Sequence, residues 1–409
     1  MPRVLLILPT ATYRARDFLA AAASLSVDVV VASEAPQALS GTMGDRAVLI
    51  DLADPSAAVE EIVALHRRTP LDAVVAVDDQ GVLVANLAAA RLGLTHNPPE
   101  AVAATRDKLA MRRRLAAAGV AQPEFRAAAP SSDLAALASE VGWPCVLKPL
   151  PLSASRGVIR ADDAAAAVAA AARIRVILAE AGEDPDGLVL VERFLPGAEV
   201  AVEGLLRNGV LEVLAVFDKP DPLDGPYFEE TIYVTPARLD ADVLAAVERQ
   251  TAAAASGLGL REGPVHAELR IGGGRLAVLE LAARSIGGRC ARALRFGTGV
   301  SLEEIILRHA LGQDLDGLQR EQAAAGVMML PIPASGILDH VGGQEEARAV
   351  PGIVGLEVSI NPKRPVRPLP EGDRYLGFLF ARATTPDEVE AALRTAHACL
   401  DIAILADPR

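Results

Sequence analysis

Short apolar runs and longer amphipathic stretches take turns along the first hundred residues. Val4 to Leu8 is an unbroken apolar run closed by Pro9-Thr10, residues 16–25 carry apolar side chains at helical spacing, and Val27 to Ala32 is apolar apart from Asp28. The alternation continues through Ala47 to Leu52, a helix at 55–67, Ala73 to Val77 and a helix at 82–92. Apolar strands alternating with helices predict a parallel sheet covered on both faces. Its ligand crevice is expected at the carboxyl ends of the strands. The first turn there, Pro9-Thr10-Ala11-Thr12-Tyr13, has no glycine fingerprint, which argues against a nicotinamide-dinucleotide site.

Beyond this region the rhythm changes. His96-Asn97-Pro98-Pro99 reads as a linker, and a helix is expected over 102–118, where five basic residues (Arg106, Lys108, Arg112, Arg113, Arg114) face one acidic residue, Asp107. A strand at Cys145 to Lys148 runs into the turn-rich segment Pro149 to Gly157, and an Ala-rich helix follows over 162–181. From Leu188 the pattern becomes antiparallel, with strands at 188–194, 199–206 and 210–217 and an Asn208-Gly209 turn between the last two. A helix at 239–256 precedes strands 264–271 and 275–282, which flank Gly272-Gly273-Gly274. Strands 327–332, 353–360 and 376–383 with helices 343–348 and 386–399 predict a small α+β module at the end. The expected division is an α/β part at 1–98, a middle part at 99–310 whose smaller lobe spans about 120–190, and the module at 311–409.

Composition narrows the partners. The 409 residues amount to about 2.7 domains of ~150 residues. At 51% hydrophobic and 23% charged the chain is neither disordered nor of low complexity. Aromatic residues are only 3%, so Ala, Val and Leu fill the interior. No apolar run approaches the ~20 residues that span a bilayer, and the start of the chain reads as a strand rather than a signal peptide. Three cysteines make no disulfide framework, which fits a reducing cytoplasm. Cys145 and Cys399 lie in apolar runs and read as core residues, and nothing around Cys290 marks it as a nucleophile. A net charge of −13 argues against nucleic acid and anionic membrane as partners, but not against one small anion in one basic pocket. The six histidines are scattered, and there is no Walker phosphate loop, HExxH helix, paired CxxC or GxSxG elbow.

The chemistry-bearing residues lie elsewhere. Glu268 and Glu280 sit symmetrically about the Gly272–Gly274 turn, so they are expected to face each other across a hairpin. Two facing carboxylates repel unless a cation lies between them, and Mg²⁺, which takes carboxylate and phosphate oxygens, suits that gap. Arg284, four residues on, is placed to reach a phosphoryl oxygen. Without neighbours the same glutamates are ordinary surface residues of a solvated hairpin. Lys148 ends an apolar strand and is followed by Ser153, Ser155, Arg156, Gly157 and Val158, a loop whose N–H groups and hydroxyls suit phosphates, or simply a surface loop. Glu192 and Glu199 bracket a strand broken by Pro196-Gly197, whose exposed backbone suits an adenine edge, or an ordinary hairpin corner.

It is the order of these residues that is specific. Arg106-Asp107-Lys108, Val146 to Pro149, Ser153 to Val158, Val191 to Glu199, His266-Ala267-Glu268-Leu269 and Leu279 to Arg284 follow one another as in the ATP-grasp superfamily, which the chain resembles over nearly its whole length. Phe217-Asp218-Lys219-Pro220, Gly225 to Thr231, Ile286-Gly287-Gly288-Arg289 and Tyr375-Leu376-Gly377-Phe378 are most similar to the L-amino acid ligases and related carboxylate–amine ligases. The resemblance implies an ATP-grasp fold: an N-terminal Rossmann-like domain, a two-lobed ATP-binding domain with antiparallel sheets, and a C-terminal module packed on it. It implies ATP and two Mg²⁺ ions, with Mn²⁺ as a possible replacement. Lys108 and Lys148 would hold the α- and β-phosphates, and the Ser153–Val158 loop would close over the β- and γ-phosphates. Glu192 and the backbone of Phe194 and Leu195 would read adenine, and Glu199 the ribose. Glu268 and Glu280 would hold the metal ions, and Arg284 the transferred phosphoryl group. Ala282 departs from the family pattern, where asparagine is common, and removes one oxygen ligand from the second metal.

The implied activity is amide formation from a carboxylate, an amino acid in the first instance, and an amine, through an acyl phosphate, with release of ADP and phosphate. Glu230, Gly287, Gly288 and Arg289 are the candidates for substrate contact, and His266 for a base or a hydrogen-bonded wall residue. Two other readings use the same nucleotide set: a biotin-carboxylase-like or purine-type carboxylase fed by bicarbonate, and an ATP-binding protein without turnover. A homodimer is also expected from the resemblance.

Overall fold

The computed structural model describes residues 1–10, 12–36, 46–130 and 132–406, so Ala11 of the first turn lies outside it. Strands Ala47–Leu49, Asp28–Ser33, Arg3–Ile7 and Ala73–Ala76 lie side by side in that order, all parallel. Alternate side chains of one strand reach opposite faces. Leu5 and Ile7 therefore pack with Ile62, Leu65 and Ala88 of helices Pro55–Arg68 and Val82–Leu92. Val4 and Leu6 pack with Phe18 and join a core shared with the middle of the molecule. Each such side chain, fully buried, contributes about 1.5–3 kcal/mol.

The segment expected as a linker is a fastened joint. Asn97 donates from Nδ2 to the Glu262 carbonyl at 2.6 Å, and its Oδ1 accepts from the N–H groups of Arg261 and Glu262 at 2.7 and 2.8 Å. The helix expected over 102–118 is two helices, Pro99–Arg106 and Lys108–Ala117. Asp107 breaks it: its backbone is extended and its carboxylate accepts from Leu109 N and Ala110 N at 2.9 and 3.0 Å. An aspartate that caps a new helix outcompetes the continuing apolar period, and Lys108 becomes the first residue of the second helix.

A small antiparallel sheet follows, in the order Phe125–Ala128, Val189–Arg193, Cys145–Pro149, Ile159–Ala161. Helices Leu134–Val141 and Ala164–Glu180 back it through Leu134, Ile174 and Leu178. The large sheet has eight antiparallel strands in the order Arg275–Ala282, Gly263–Gly272, Ala198–Arg207, Val210–Lys219, Ile232–Thr235, Ala324–Leu330, Gly377–Ala383, Ile353–Val358. Its last three strands come from the C-terminal hundred residues, which thus extend the central sheet. Only Pro365–Val366, Gly336–Gly342 and Asp401–Leu405 form a separate sheet there. Strand Val210–Lys219 runs two residues beyond the expected end, so Lys219 is a strand residue. The two sheets meet at Gly197, where a Cβ would lie 2.1 Å from the Ile271 carbonyl; only glycine lets the Pro196-Gly197 turn lie against the hairpin. No helix among the described residues is long and apolar enough to cross a membrane.

Candidate active site

Between the small and large sheets lies a cleft of about 760 Å³, its open mouth included. Lys108, Lys148, Ser153, Ser155, Val158, Glu192, Phe194, Leu195, Glu199, Glu230, Glu268 and Glu280 all line it. These residues span more than 170 positions of sequence, and the fold gathers them on one surface.

The hairpin supplies its floor. Glu268 stands opposite Glu280 in the ladder, and a bulge between Glu268 and Leu269 shifts the register immediately beyond. Bulges re-aim side chains beside functional sites. Among the described residues Glu280 has no hydrogen-bond or ion-pair partner, whereas Glu268 accepts from the Lys219 ammonium at 3.1 Å. Burial pushes the Glu268 carboxyl up, but Lys219 foremost, with the nearby His266, outweighs it and holds it at about 2.

The small sheet and helix Lys108–Ala117 supply the cations. Lys148 Nζ lies 2.7 Å from Glu192 Oε2, and Arg112 Nε binds the other oxygen of the same carboxylate. Burial opposes ionisation of Glu192, and the two cations, Arg112 foremost, overcome it and lower its pKa to about 2. With both oxygens engaged, Glu192 is an anchor for Lys148. Lys108 donates to the Leu152 carbonyl at 2.6 Å, at the root of the loop. In the loop Ala154, Ser155 and Gly157 take positive φ (54°, 55° and 70°), and no described group hydrogen-bonds the Ser153 or Ser155 hydroxyl. Successive residues in such conformations form concavities that take anions. Arg156 and Gly157 face away from the cleft: Arg156 Nε donates to the Glu371 carbonyl at 3.1 Å and Gly157 N to the Pro370 carbonyl at 3.0 Å.

Four residues missed in the sequence hold this arrangement. Arg112 is one. Arg270 binds Glu199 Oε2 at 3.0 Å and the Leu223 carbonyl at 2.7 Å. Lys219 binds Glu199, Glu230 and Glu268 together. Arg14 donates to the Val77 carbonyl and to Ser285 Oγ, tying the first domain to the loop after the hairpin.

Arg284, His266, Gly287, Gly288 and Arg289 lie outside the cleft wall. Arg284 Nε pairs with Asp79 at 3.4 Å and lines the neighbouring cavity between the first domain and the hairpin. His266 is buried between Glu203 (3.5 Å) and Glu268 (3.7 Å); burial disfavours its charge, and the two carboxylates more than restore it, so its pKa is raised. Gly288 N donates to Tyr13 Oη at 2.8 Å. The Arg289 guanidinium lies 5.5 Å from the Tyr13 ring and 5.6 Å from the Phe378 ring, paired with Glu357, which also takes Arg292. Arg292 in turn binds Asp17 at 2.9 Å. This second cluster joins the first helix, the post-hairpin loop and the C-terminal sheet.

Comparison with known proteins fits this geometry. The ATP-grasp N-terminal domain family matches residues 19–96, the ATP-grasp domain family residues 141–293, and L-amino acid ligase C-terminal domain 2 residues 328–404. The chain is 27% identical to alanine–anticapsin ligase of Bacillus subtilis over 61% of its own length and 56% of that enzyme's. It is 31% identical to dapdiamide A synthase of Enterobacter agglomerans over 56% of its length and 54% of that protein's. It thus spans little more than half of each of these two relatives. The crystal structure of an L-amino acid ligase from Bacillus licheniformis superposes with a TM-score of 0.82 over 99% of both chains at 24% identity. The chain belongs to the ATP-grasp superfamily and carries the C-terminal domain of the L-amino acid ligases.

Proposed function

We propose that this protein is an ATP-dependent carboxylate–amine ligase that joins an amino-acid carboxylate to an amine through an acyl phosphate, releasing ADP and phosphate. The observation that carries the reading is the cleft itself: facing Glu268 and Glu280 at its floor, and Lys108, Lys148 and the free Ser153 and Ser155 hydroxyls on its other wall.

The residues fit a divalent cation, since Glu280 is an unpartnered carboxylate directly opposite Glu268. Both side chains are hard oxygen donors of the kind Mg²⁺ prefers. Two Mg²⁺ ions, or Mn²⁺ in their place, would be held by Glu268 and Glu280, and Ala282 would offer them no oxygen. Bound there, the metal would supply charge neutralisation to the phosphates.

The rest is done by the chain. Lys108 and Lys148 hold the α- and β-phosphates, Lys148 kept in place by Glu192. The 153–158 loop covers the terminal phosphates and excludes water from the acyl phosphate. Phe194 and Leu195 meet the adenine, and Glu199, fixed by Lys219 and Arg270, faces the ribose. The substrate carboxylate attacks the γ-phosphorus and ADP leaves; the amine then attacks the acyl carbon, phosphate leaves, and the amine gives up its proton. Arg284 lies on the substrate side, where it would meet the transferred phosphoryl group once released from Asp79. His266, whose pKa Glu203 and Glu268 raise, suits steadying Glu268 better than acting as a base. Glu230, Gly287, Gly288 and Arg289 border the acceptor space. In this division residues 1–98 supply Tyr13 and Asp79, 99–310 the nucleotide cleft, and 311–409 Glu357, Tyr375 and Phe378.

The test is ADP release with Mg²⁺ on a panel of amino acids, alone and in pairs, with mass detection of amide products and hydroxylamine to trap the acyl phosphate. Amino-acid-dependent ADP matched by amide or hydroxamate is expected. ADP release that needs bicarbonate and ignores amino acids would replace the ligase with a carboxylase, and ATP binding with no turnover on the panel would replace it with a binding protein.

A further inference from the structure

At the inner end of the cleft Glu199, Glu230 and Glu268 bring carboxylate oxygens within 4.8 Å of one another. Such a triad is where a cation would be coordinated, and an amino group of the chain stands in it. Lys219 Nζ lies 2.6 Å from Glu199 Oε1, 2.7 Å from Glu230 Oε1 and 3.1 Å from Glu268 Oε1. The lysine is fixed: it ends strand Val210–Lys219, its side chain is 3% exposed, and its ammonium lies 4.9 Å from the Tyr233 ring centroid.

We propose that Lys219 is a positioning residue, a resident counter-ion that occupies Glu268 in the nucleotide-free enzyme and so makes metal loading wait for the nucleotide. This rests on the metal reading of Glu268 and Glu280 given above. The ammonium held on Glu268 Oε1 weakens that carboxylate's hold on a divalent cation, because like charges a few ångströms apart repel and Mg²⁺ sheds its own water reluctantly. The distances say which carboxylate is released. Glu199 is held on its other oxygen by Arg270, and its contact with Lys219 is the shortest of the three. Glu268 has the longest contact and faces the unpartnered Glu280. When nucleotide phosphates arrive with their own cation, Glu268 turns to that cation, and Lys219 stays neutralised by Glu199 and Glu230. Three carboxylates against the Lys219 ammonium and the Arg270 guanidinium leave one net negative charge, which draws the cation in without binding it prematurely.

The experiment is a Mn²⁺ titration of the full chain without nucleotide, read from the EPR signal of free hexaaqua Mn²⁺. The wild type is expected to bind only in the millimolar range or weaker. Lys219→Gln, which keeps a hydrogen-bonding group among the three carboxylates, should bind one Mn²⁺ at least tenfold more tightly, and adding Glu268→Gln should abolish the gain. Lys219→Arg, which keeps the charge, should behave as the wild type. Tight nucleotide-free binding by the wild type overturns the proposal on its own, whether or not the variants fold, and so does a folded Lys219→Gln without gain. Failure of the metal reading looks different: the wild type then retains no Mn²⁺ beyond that carried by ADP itself, even with ADP bound.

Discussion

Two arginine–carboxylate clusters flank the cleft, and they are built differently. On the nucleotide side Glu192 sits between Arg112 and Lys148, with Arg112 and Glu192 only 1% and 2% exposed. All three side chains come from neighbouring elements of the middle of the chain. On the side proposed for the acceptor, Asp17, Arg289, Arg292 and Glu357 come from the first helix, the post-hairpin loop and the C-terminal sheet, and they are 16–34% exposed. Burial makes the first cluster part of the fold, because a charge shut away from water cannot lose its partner cheaply. The second is reached by water, so its charges are exchangeable. The nucleotide is common to every turnover, whereas the acceptor defines the product. Under the proposed assignment, a fixed cluster for one and an adaptable cluster for the other match those demands.

The comparison breaks most directly at Glu192. Glu192→Gln leaves Arg112 and Lys148 facing each other without a carboxylate, and unfolding stability at pH 7 should fall by about 3–5 kcal/mol, read by urea denaturation. The pH dependence has a definite sign. The folded pKa is depressed from 4.5 to about 2, so the ionised carboxylate stabilises the wild type fully above 4.5, and that stability is lost as the pH falls toward 2. The gap between wild type and variant should therefore narrow across that window. A gap of equal size at pH 7 and pH 3 would remove Glu192 as its cause.

Glu357 sharpens the other half. Glu357→Gln takes the negative charge from between Arg289 and Arg292 and loosens the guanidinium that lies between the Tyr13 and Phe378 rings. A charge-assisted hydrogen bond is worth about 1.5–3 kcal/mol. The KM of the amino-acid substrate should accordingly rise about tenfold, with the ATP KM changed by less than about twofold, since the cluster lies outside the cleft wall. Equal change in both KM values would mean that the two sides are not separate.

What the sequence discloses follows the same division. Glu268 and Glu280 are legible because they stand nearly symmetrically about a glycine turn; strict counting from the turn would set Glu268 opposite Leu279, and the bulge between Glu268 and Leu269 moves it opposite Glu280. Lys148 and the 153–158 loop are legible because a strand must end before a loop begins. Arg112 hides among three consecutive arginines, and only its spacing from Leu109 and Leu115 marks it as the one on the apolar face; Arg112 is buried and Arg113 exposed. Lys219 offers a comparable signal, since Ala215 and Phe217 are buried on the same side of that strand, and a lysine in their series needs buried carboxylates. The substrate side carries no such local mark. Asp17, Arg289 and Glu357 come together only through the way the first domain and the C-terminal strands pack on the central sheet. The break at Asp107 is not legible, because a capping aspartate looks like any polar residue within an amphipathic period.

The smallest effect is expected where the C-terminal region touches the loop. Arg173 binds both Glu371 oxygens at 2.6 and 2.9 Å, Arg367 binds Glu180 at 2.7 Å, and the Gly157 and Arg156 contacts to residues 370 and 371 hold the loop from behind. Arg173 and Glu371 are 41% and 26% exposed, so the pair is worth no more than about 1 kcal/mol. Glu371→Ala should leave the unfolding midpoint nearly unchanged and the ATP KM within about twofold. Its effect belongs to coupling. A loop less firmly tied admits water to the acyl phosphate, so ADP released per amide formed should rise above one, by a factor of about two at a cost of ~0.4 kcal/mol in the closed state. Parallel measurement of ADP and amide product reads this ratio. If it stays at one while the midpoint also stays put, the C-terminal contact is packing, and the nucleotide side of the cleft seals without help from the substrate side.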